Sequence, residues 1–392
     1  MKTIFQNIHI NYGRKNHIPA FDGVRGASII VVTLYHYFLL PYAAWFSMES
    51  FFVLSGFLIT GILLDIRERK NFFKNYLARR MLRILPLYYG LLIIAFFIVP
   101  LFVSKESLAP FSLYYHHQEY FWIYLQNWLL LYNEAGLKGV SRIMLHLWSL
   151  AIEEQFYIVW PLLVLIFNRK VFTKIIAGII LFSITLKCYF HFSGYPWQEN
   201  YFNTFCRLDS LSMGGLIAVC VRDKSFIPFL NKTAPYIFKL LGAVLLIAIL
   251  IYRPRMPGER FLEPLGTTLF AILFAGMLLY CLSDHKRNYV KRFLELRLFT
   301  FLGKYSYSLY IFHVPILVLI RHRLTALLQE HIKGGAAFLL SSIICLTFTF
   351  LFSRFTWIAI EKPALKLKKF FKYADEKTEP LSVVRPAATE TI

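Results

Sequence analysis

Residues 21–41 read FDGVRGASIIVVTLYHYFLLP, an apolar stretch interrupted by Asp22, Arg25 and His36. Crossing a bilayer core of about 30 Å takes roughly 20 residues of helix at 1.5 Å per residue, and this stretch has that length. Similar runs recur along the chain. Candidate spans lie near 25–41, 47–65, 84–103, 144–167, 171–190, 205–221, 235–252, 265–283, 303–322 and 335–358. The 392 residues are 57% hydrophobic and 17% charged, with a mean hydropathy of +0.54. That excludes a disordered chain, a collagen-like fibre and a small disulfide scaffold. The expected fold class is all-α, a polytopic integral membrane helical bundle of about ten transmembrane helices.

Lys and Arg number 43 against 22 Asp and Glu, a net charge of +21. On a soluble protein this excess would point to nucleic acid. Here 31 basic residues fall in alternate segments on the N-terminal side of the spans, and 9 fall in the opposite segments. That bias is a positive-inside signal, which places both termini in the cytoplasm and argues against nucleic acid as a partner. Residues 1–20 are polar and basic, without the apolar core of a cleavable signal peptide. The five cysteines lie in apolar runs without a CxxC pair, so neither a disulfide framework nor a metal site is expected. Residues 1–361 are expected to form one membrane domain, and 362–392 a basic, disordered cytoplasmic tail. The aromatic-rich stretch 111–132 reads as an interfacial belt, with a sugar-stacking platform as the alternative.

Ionised groups at the bilayer centre cost at least roughly 2.5–3.5 kcal/mol each, so those inside the spans are expected to face a protein-lined cavity. Arg25 and His36 are eleven residues apart, about three helical turns plus roughly 20°, which puts both on one face with about 16.5 Å between them along the axis. In the fourth span, LHLWSLAIEEQFYIVWP, His146, Ser149, Glu153 and Tyr157 form one stripe. Glu154 is turned about 100° away from it. A carboxylate beside an imidazole holds its tautomer and raises its basicity, as general-base chemistry requires. Interfacial snorkelling is the competing reading for Arg25, and interhelical hydrogen bonding for His36 and the fourth-span groups. Arg79, Arg80 and Arg83 stand before the third span, either as a phosphate clamp or in contact with anionic lipid. Arg207 and Asp209 do not share a helical face, and Gly214–Gly215 suggests close helix packing. In GKYSYSLYIFHVPI, Ser306, Tyr310 and His313 stack on one side, Pro315 is expected to bend the helix, and Pro363 to end the last one.

Together these strings resemble the third acyltransferase family, polytopic bacterial membrane enzymes that O-acylate surface glycans and some small glycosylated products. The resemblance runs from about residue 17 to 363 and is carried by Arg25 and His36 in an Arg-x10-His arrangement, FFVLSGFLIT at 51–60, RRMLRILPLYY, LHLWSLAIEEQFYIVWP, RLDSLSMGGLIA and GKYSYSLYIFHVPI, in the family's order. It implies acyl-CoA, usually acetyl-CoA, as a cytoplasmic donor with no permanently bound cofactor, a carbohydrate hydroxyl as acceptor, essential roles for His36 and Arg25, and a multi-pass location in the bacterial inner membrane. Some relatives add a periplasmic SGNH-type transferase domain; here none follows, so transfer is expected to finish within the membrane domain.

The resulting expectation has Arg79, Arg80 and Arg83 holding the CoA phosphates and the pantetheine arm passing Arg25. His36, oriented by Glu153, then deprotonates the acceptor hydroxyl, with Arg207 or a hydroxyl stabilising the oxyanion. His146, Ser149, Glu154, Tyr157, Arg207, Asp209, Ser306, Tyr310 and His313 are expected to line the cavity. The rival is a proton-coupled transporter relaying through His36, Glu153 and Asp209; no internal repeat supports it. A polytopic glycosyltransferase is weaker still, for want of a loop acidic pair. The acceptor stays open among O-antigen, capsule, exopolysaccharide and a glycosylated small molecule, with loops 104–143, 191–204 and 253–264 expected to select it.

Overall fold

The computed structural model describes residues 18–38, 44–102, 111–132, 143–223, 225–252, 264–283 and 288–373, and among them there is no β-strand. In chain order the helices are α1 (Pro19–Phe38), α2 (Met48–Ile66), α3 (Phe72–Ile93), the short α4 (Ser112–His116), α5 (Glu119–Trp122) and α6 (Gln126–Tyr132), α7 (Trp148–Ile166), α8 (Arg169–Phe192), α9 (Trp197–Phe202) and α10 (Thr204–Cys220). There follow α11 (Phe226–Tyr252), α12 (Gly266–Leu282), α13 (Tyr289–Leu294), α14 (Arg297–Gln329), α15 (Gly334–Thr356) and α16 (Lys362–Lys366). Each expected span coincides with one long helix. Seven of them, α2, α3, α7, α8, α11, α14 and α15, are long and apolar enough to cross a membrane. Of the others, α12 is a shorter apolar helix, α10 carries Arg207 and Asp209 within 17 residues, and α1 carries Asp22, Arg25 and His36. The protein is an all-α polytopic membrane protein.

Its polarity is inverted relative to a water-soluble bundle. Large apolar side chains such as Leu181, Leu240, Leu250 and Phe355 are exposed, while Lys187, Arg207, Asp209 and His313 are wholly buried. A lipid-facing exterior demands the first, and the cost of charge in hydrocarbon demands the second.

Lipid tails are as apolar as leucine, so helices in a bilayer gain most from close backbone approach. Two crossings show it. On α1, a β-carbon at Gly26 would fall 1.9 Å from the Phe299 carbonyl oxygen at the start of α14. On α2, one at Gly56 would fall 1.8 Å from that of Leu211 on α10, and one at Gly214 would fall 1.9 Å from that of Val53. The close packing expected at Gly214–Gly215 is therefore the α2–α10 contact. The aromatic stretch folds back on the C-terminal half of α3, where Tyr88 and Tyr89 donate to the carbonyls of Phe121 and Trp122 at 2.9 and 3.0 Å. Its rings Tyr114, Phe121 and Tyr124 are buried in that packing.

Pro363 does not end the last helix. After α15 a π-type turn, Trp357–Glu361, leads straight into α16, and Pro363 occupies its first turn, where a missing N–H costs nothing. A further turn runs to Phe370. Residues 374–392 of the expected tail, and 253–263 of one expected acceptor loop, lie outside the described residues.

Gly56→Val forces apart two backbones already in contact and should cost at least about 1–3 kcal/mol. A thermal melt of the detergent-solubilised protein checks this, and Gly178→Ala, where nothing lies within 4 Å of the added carbon, should melt no lower than the parent.

Candidate active site

The α1–α14 crossing sets the last turn of α1 against the middle of α14. There the rings of His36 and His313 have centroids 4.9 Å apart, and a short turn, Leu145–Leu147, brings in His146 at 5.0 Å from His313. Pro315 explains part of this arrangement. A proline has no N–H to give the carbonyl four residues back, and that carbonyl, on Ile311, accepts the Nε2–H of His146 at 3.2 Å. The His313 Nδ1–H goes to the Tyr310 carbonyl at 2.7 Å, and the His36 Nδ1–H to that of Val32 at 2.9 Å. The Tyr310 hydroxyl donates to the His146 carbonyl and lies 2.6 Å from Ser149 Oγ. His146 and His313 are buried, whereas His36 is partly open. With its Nδ1 proton committed, His36 keeps Nε2 as a basic lone pair.

The expected His36–Glu153 pair is not formed. Glu153 follows His146 by seven residues and lies within α7, beyond the turn that carries the imidazole. Its oxygens accept from Ser55 Oγ at 3.0 Å and Tyr157 at 2.9 Å, with Arg80 Nη2 at 4.0 Å. The Arg80 guanidinium covers the Tyr157 ring at 3.5 Å. A full positive charge outcompetes a neutral imidazole for this carboxylate. Neighbouring Glu154 is buried on another face, as its turn along the helix requires, and its Oε1 has no hydrogen-bond partner.

Nor do the three arginines act as one clamp. Arg79 Nη1 donates to the Phe371 carbonyl at 3.2 Å and its guanidinium faces the Tyr373 ring, while Asn75 donates to the Lys372 carbonyl at 2.7 Å. Arg79 thus secures the segment after the last helical turn. Arg80 belongs to Glu153. Arg83 alone of the three makes no hydrogen bond or ion pair among the described residues; it lies within electrostatic reach of Arg25, Arg80 and Glu361. Arg25 pairs with Asp22 at 3.2 Å, both about a quarter exposed. The start of α1, the base of α3 and residues 371–373 therefore share one arginine-rich end of the bundle.

Two further expectations change. Asp209 does not line a cavity. It accepts from Lys187 Nζ at 2.6 Å and Thr268 Oγ1 at 2.5 Å, in a fully buried knot of α8, α10 and α12. Ser306 bonds the Gly303 carbonyl of its own helix at 2.9 Å. Arg207 points the opposite way from Asp209, as their spacing requires, and forms a buried ion pair with Glu49. The rings of Phe52, Trp148 and Tyr201 surround it at 5.3–5.5 Å. Glu49, which also accepts from Ser210 at 2.6 Å, went unread in the sequence, although a carboxylate in the first turn of a largely apolar helix is itself a signal. His36, Glu153 and Asp209 end in three separate networks, so the transporter's relay does not assemble.

A membrane bundle holding a partly open imidazole in the last turn of one helix, and at one end an arginine with no hydrogen bond or ion pair among the described residues, has the parts of a group-transfer enzyme. The profile of a family described as an acyltransferase domain matches residues 18–354. The chain belongs to that acyltransferase family. It is similar to the peptidoglycan O-acetyltransferase OatA of Listeria monocytogenes, 27% identical over 327 residues, which cover 79% of this chain and 50% of the relative. It also resembles the O-acetyltransferase OatA of Staphylococcus aureus (26% over 320 residues; 78% and 51% covered) and the putative peptidoglycan O-acetyltransferase YrhL of Bacillus subtilis (28% over 324; 77% and 49%). The chain spans about half the length of these curated relatives. No solved structure matches it.

Removing one partner of a buried ion pair costs about 3–5 kcal/mol. Lys187→Met should therefore lower the melting temperature markedly while leaving turnover per folded molecule unchanged, as stability and activity measurements on the same preparation would show.

Proposed function

We propose that this protein is an O-acyltransferase of the bacterial cytoplasmic membrane that moves an acyl group, acetyl by the names of its relatives, from acyl-CoA to a hydroxyl of a cell-envelope glycan. The single observation that carries the reading is the combination on α1 and its neighbours: the partly open His36 imidazole, whose Nδ1 proton is committed to Val32, and at the arginine-rich end the Arg83 guanidinium, without a hydrogen bond or ion pair among the described residues. Arg25 and His36 on α1 span about 16.5 Å, of the order an extended pantetheine arm must cover.

In this mechanism Arg83, with Arg25 beside it, holds the CoA phosphates through charge-assisted hydrogen bonds. Arg79 and Arg80, already engaged, shape the entrance rather than grip the donor. The thioester reaches His36. Its Nε2 takes the proton of the acceptor hydroxyl as the new oxygen–carbon bond forms at the acyl carbonyl. The carbon–sulfur bond breaks and the departing CoA thiolate takes that proton back, so the products are the ester and free CoA. Arg207 is locked by Glu49 in its aromatic cage and has no assigned part in the oxyanion. Two relatives carry peptidoglycan in their names, which makes a peptidoglycan-type sugar the favoured acceptor over O-antigen, capsule or exopolysaccharide.

Membranes containing the protein should release free thiol from acetyl-CoA when given acceptor. His36→Ala should reduce that release by about 10²–10⁴-fold while CoA still binds; activity within about twofold of the parent would remove the base from the mechanism. Arg83→Ala should raise the acyl-CoA KM by about tenfold, the loss of one charge-assisted contact, with the gap between variant and parent narrowing as salt rises. An unchanged KM would return Arg83 to lipid contact.

A further inference from the structure

The three imidazoles stand in series, and each has given its N–H to a main-chain carbonyl: His36 to Val32, His313 to Tyr310, His146 to Ile311. A neutral imidazole with its N–H committed keeps one lone pair. Two of those lone pairs, on His313 Nε2 and His146 Nδ1, are buried without a hydrogen-bond partner among the described residues. The residues are 0% and 7% exposed. A buried acceptor left unmade costs about 1–3 kcal/mol, and of the two rings that carry one, His313 meets the partly open His36 and His146 meets His313.

The surroundings narrow what they serve. The polar neighbours of the cluster are Tyr35, Tyr310, Ser149 and Arg321, whose guanidinium donates to the His36 and Tyr37 carbonyls at 3.5 and 3.3 Å. Among the described residues no carboxylate pairs with any of the three rings, and no three His, Cys, Asp or Glu side chains gather as a metal-ligating set. Among the described residues an imidazolium formed at His36 thus has no paired carboxylate to stabilise it. The nitrogen acceptors next to it are those of His313, whose ring meets His36 at 4.9 Å, and of His146, whose ring meets His313 at 5.0 Å.

We propose that His313 and His146 are positioning residues that share the proton His36 removes from the acceptor hydroxyl. The proton moves from hydroxyl oxygen to His36 Nε2, is held across the imidazole row while the carbon–sulfur bond breaks, and returns through His36 to the CoA thiolate. No proton is gained or lost overall. The inference rests on the acyl-transfer reading and adds two residues that act through its base.

The test is steady-state kinetics of the full-length protein in detergent micelles with acetyl-CoA and a soluble glycan acceptor. His313→Asn, which keeps a polar side chain but cannot carry the proton, should lower kcat by about tenfold with both KM values within about twofold of the parent. The rate in H2O–D2O mixtures should also change from a curved to a straight dependence on deuterium fraction, since fewer protons are then in flight. His146→Gln, measured the same way, serves if His313→Asn does not fold. Unaltered kcat and an unaltered isotope curve in either folded variant would overturn the relay while leaving His36 as the base. Full activity in His36→Ala would overturn the acyl-transfer reading and the relay together.

Discussion

The close crossing of α1 over α14 is the contact on which the site depends. At Gly26 the backbones come so near that no side chain fits, and this approach carries His36, three turns further along α1, into ring contact with His313. Pro315 acts on the same helix from the other side. By withholding its N–H it leaves the Ile311 carbonyl for His146. A glycine and a proline, the two poorest helix formers in water, thus set the geometry of three imidazoles inside the bilayer.

Charge within the bundle falls into two kinds. Lys187–Asp209 and Arg207–Glu49 are ion pairs between helices, fully desolvated and mutually neutralised, although Nε and Nη1 of Arg207 find no hydrogen-bond partner among the described residues. They resemble buried ion pairs whose loss is costly because the partner is stranded. Arg83 and His36 differ: one makes no hydrogen bond or ion pair among the described residues, with Glu361 and Asp22 only within electrostatic reach, and the other keeps a lone pair in a partly open position. In a membrane interior an incompletely satisfied polar group is expensive, so its persistence points to a partner that comes and goes.

Helices and their inward faces were legible because hydropathy and period are local properties. The one-face relation of Arg25 and His36, and the divergence of Arg207 from Asp209, both follow from about 100° per residue. Partner choice was not legible. Glu153 meets Arg80 instead of His36, and Arg79 meets a carbonyl almost three hundred residues away, at Phe371, because such pairings are fixed by how helices cross. The same limit hid the imidazole row, whose members come from α1, the turn before α7, and α14. Lone acids such as Glu49, by contrast, could have been flagged from composition alone.

The docking of Phe371–Tyr373 on Asn75 and Arg79 has a practical side. An affinity handle or fluorescent reporter inserted directly after Tyr373 would begin beside Arg79 and crowd the end of the bundle assigned to the nucleotide. Handles for purification or imaging are better placed in a loop at the far end of the bundle.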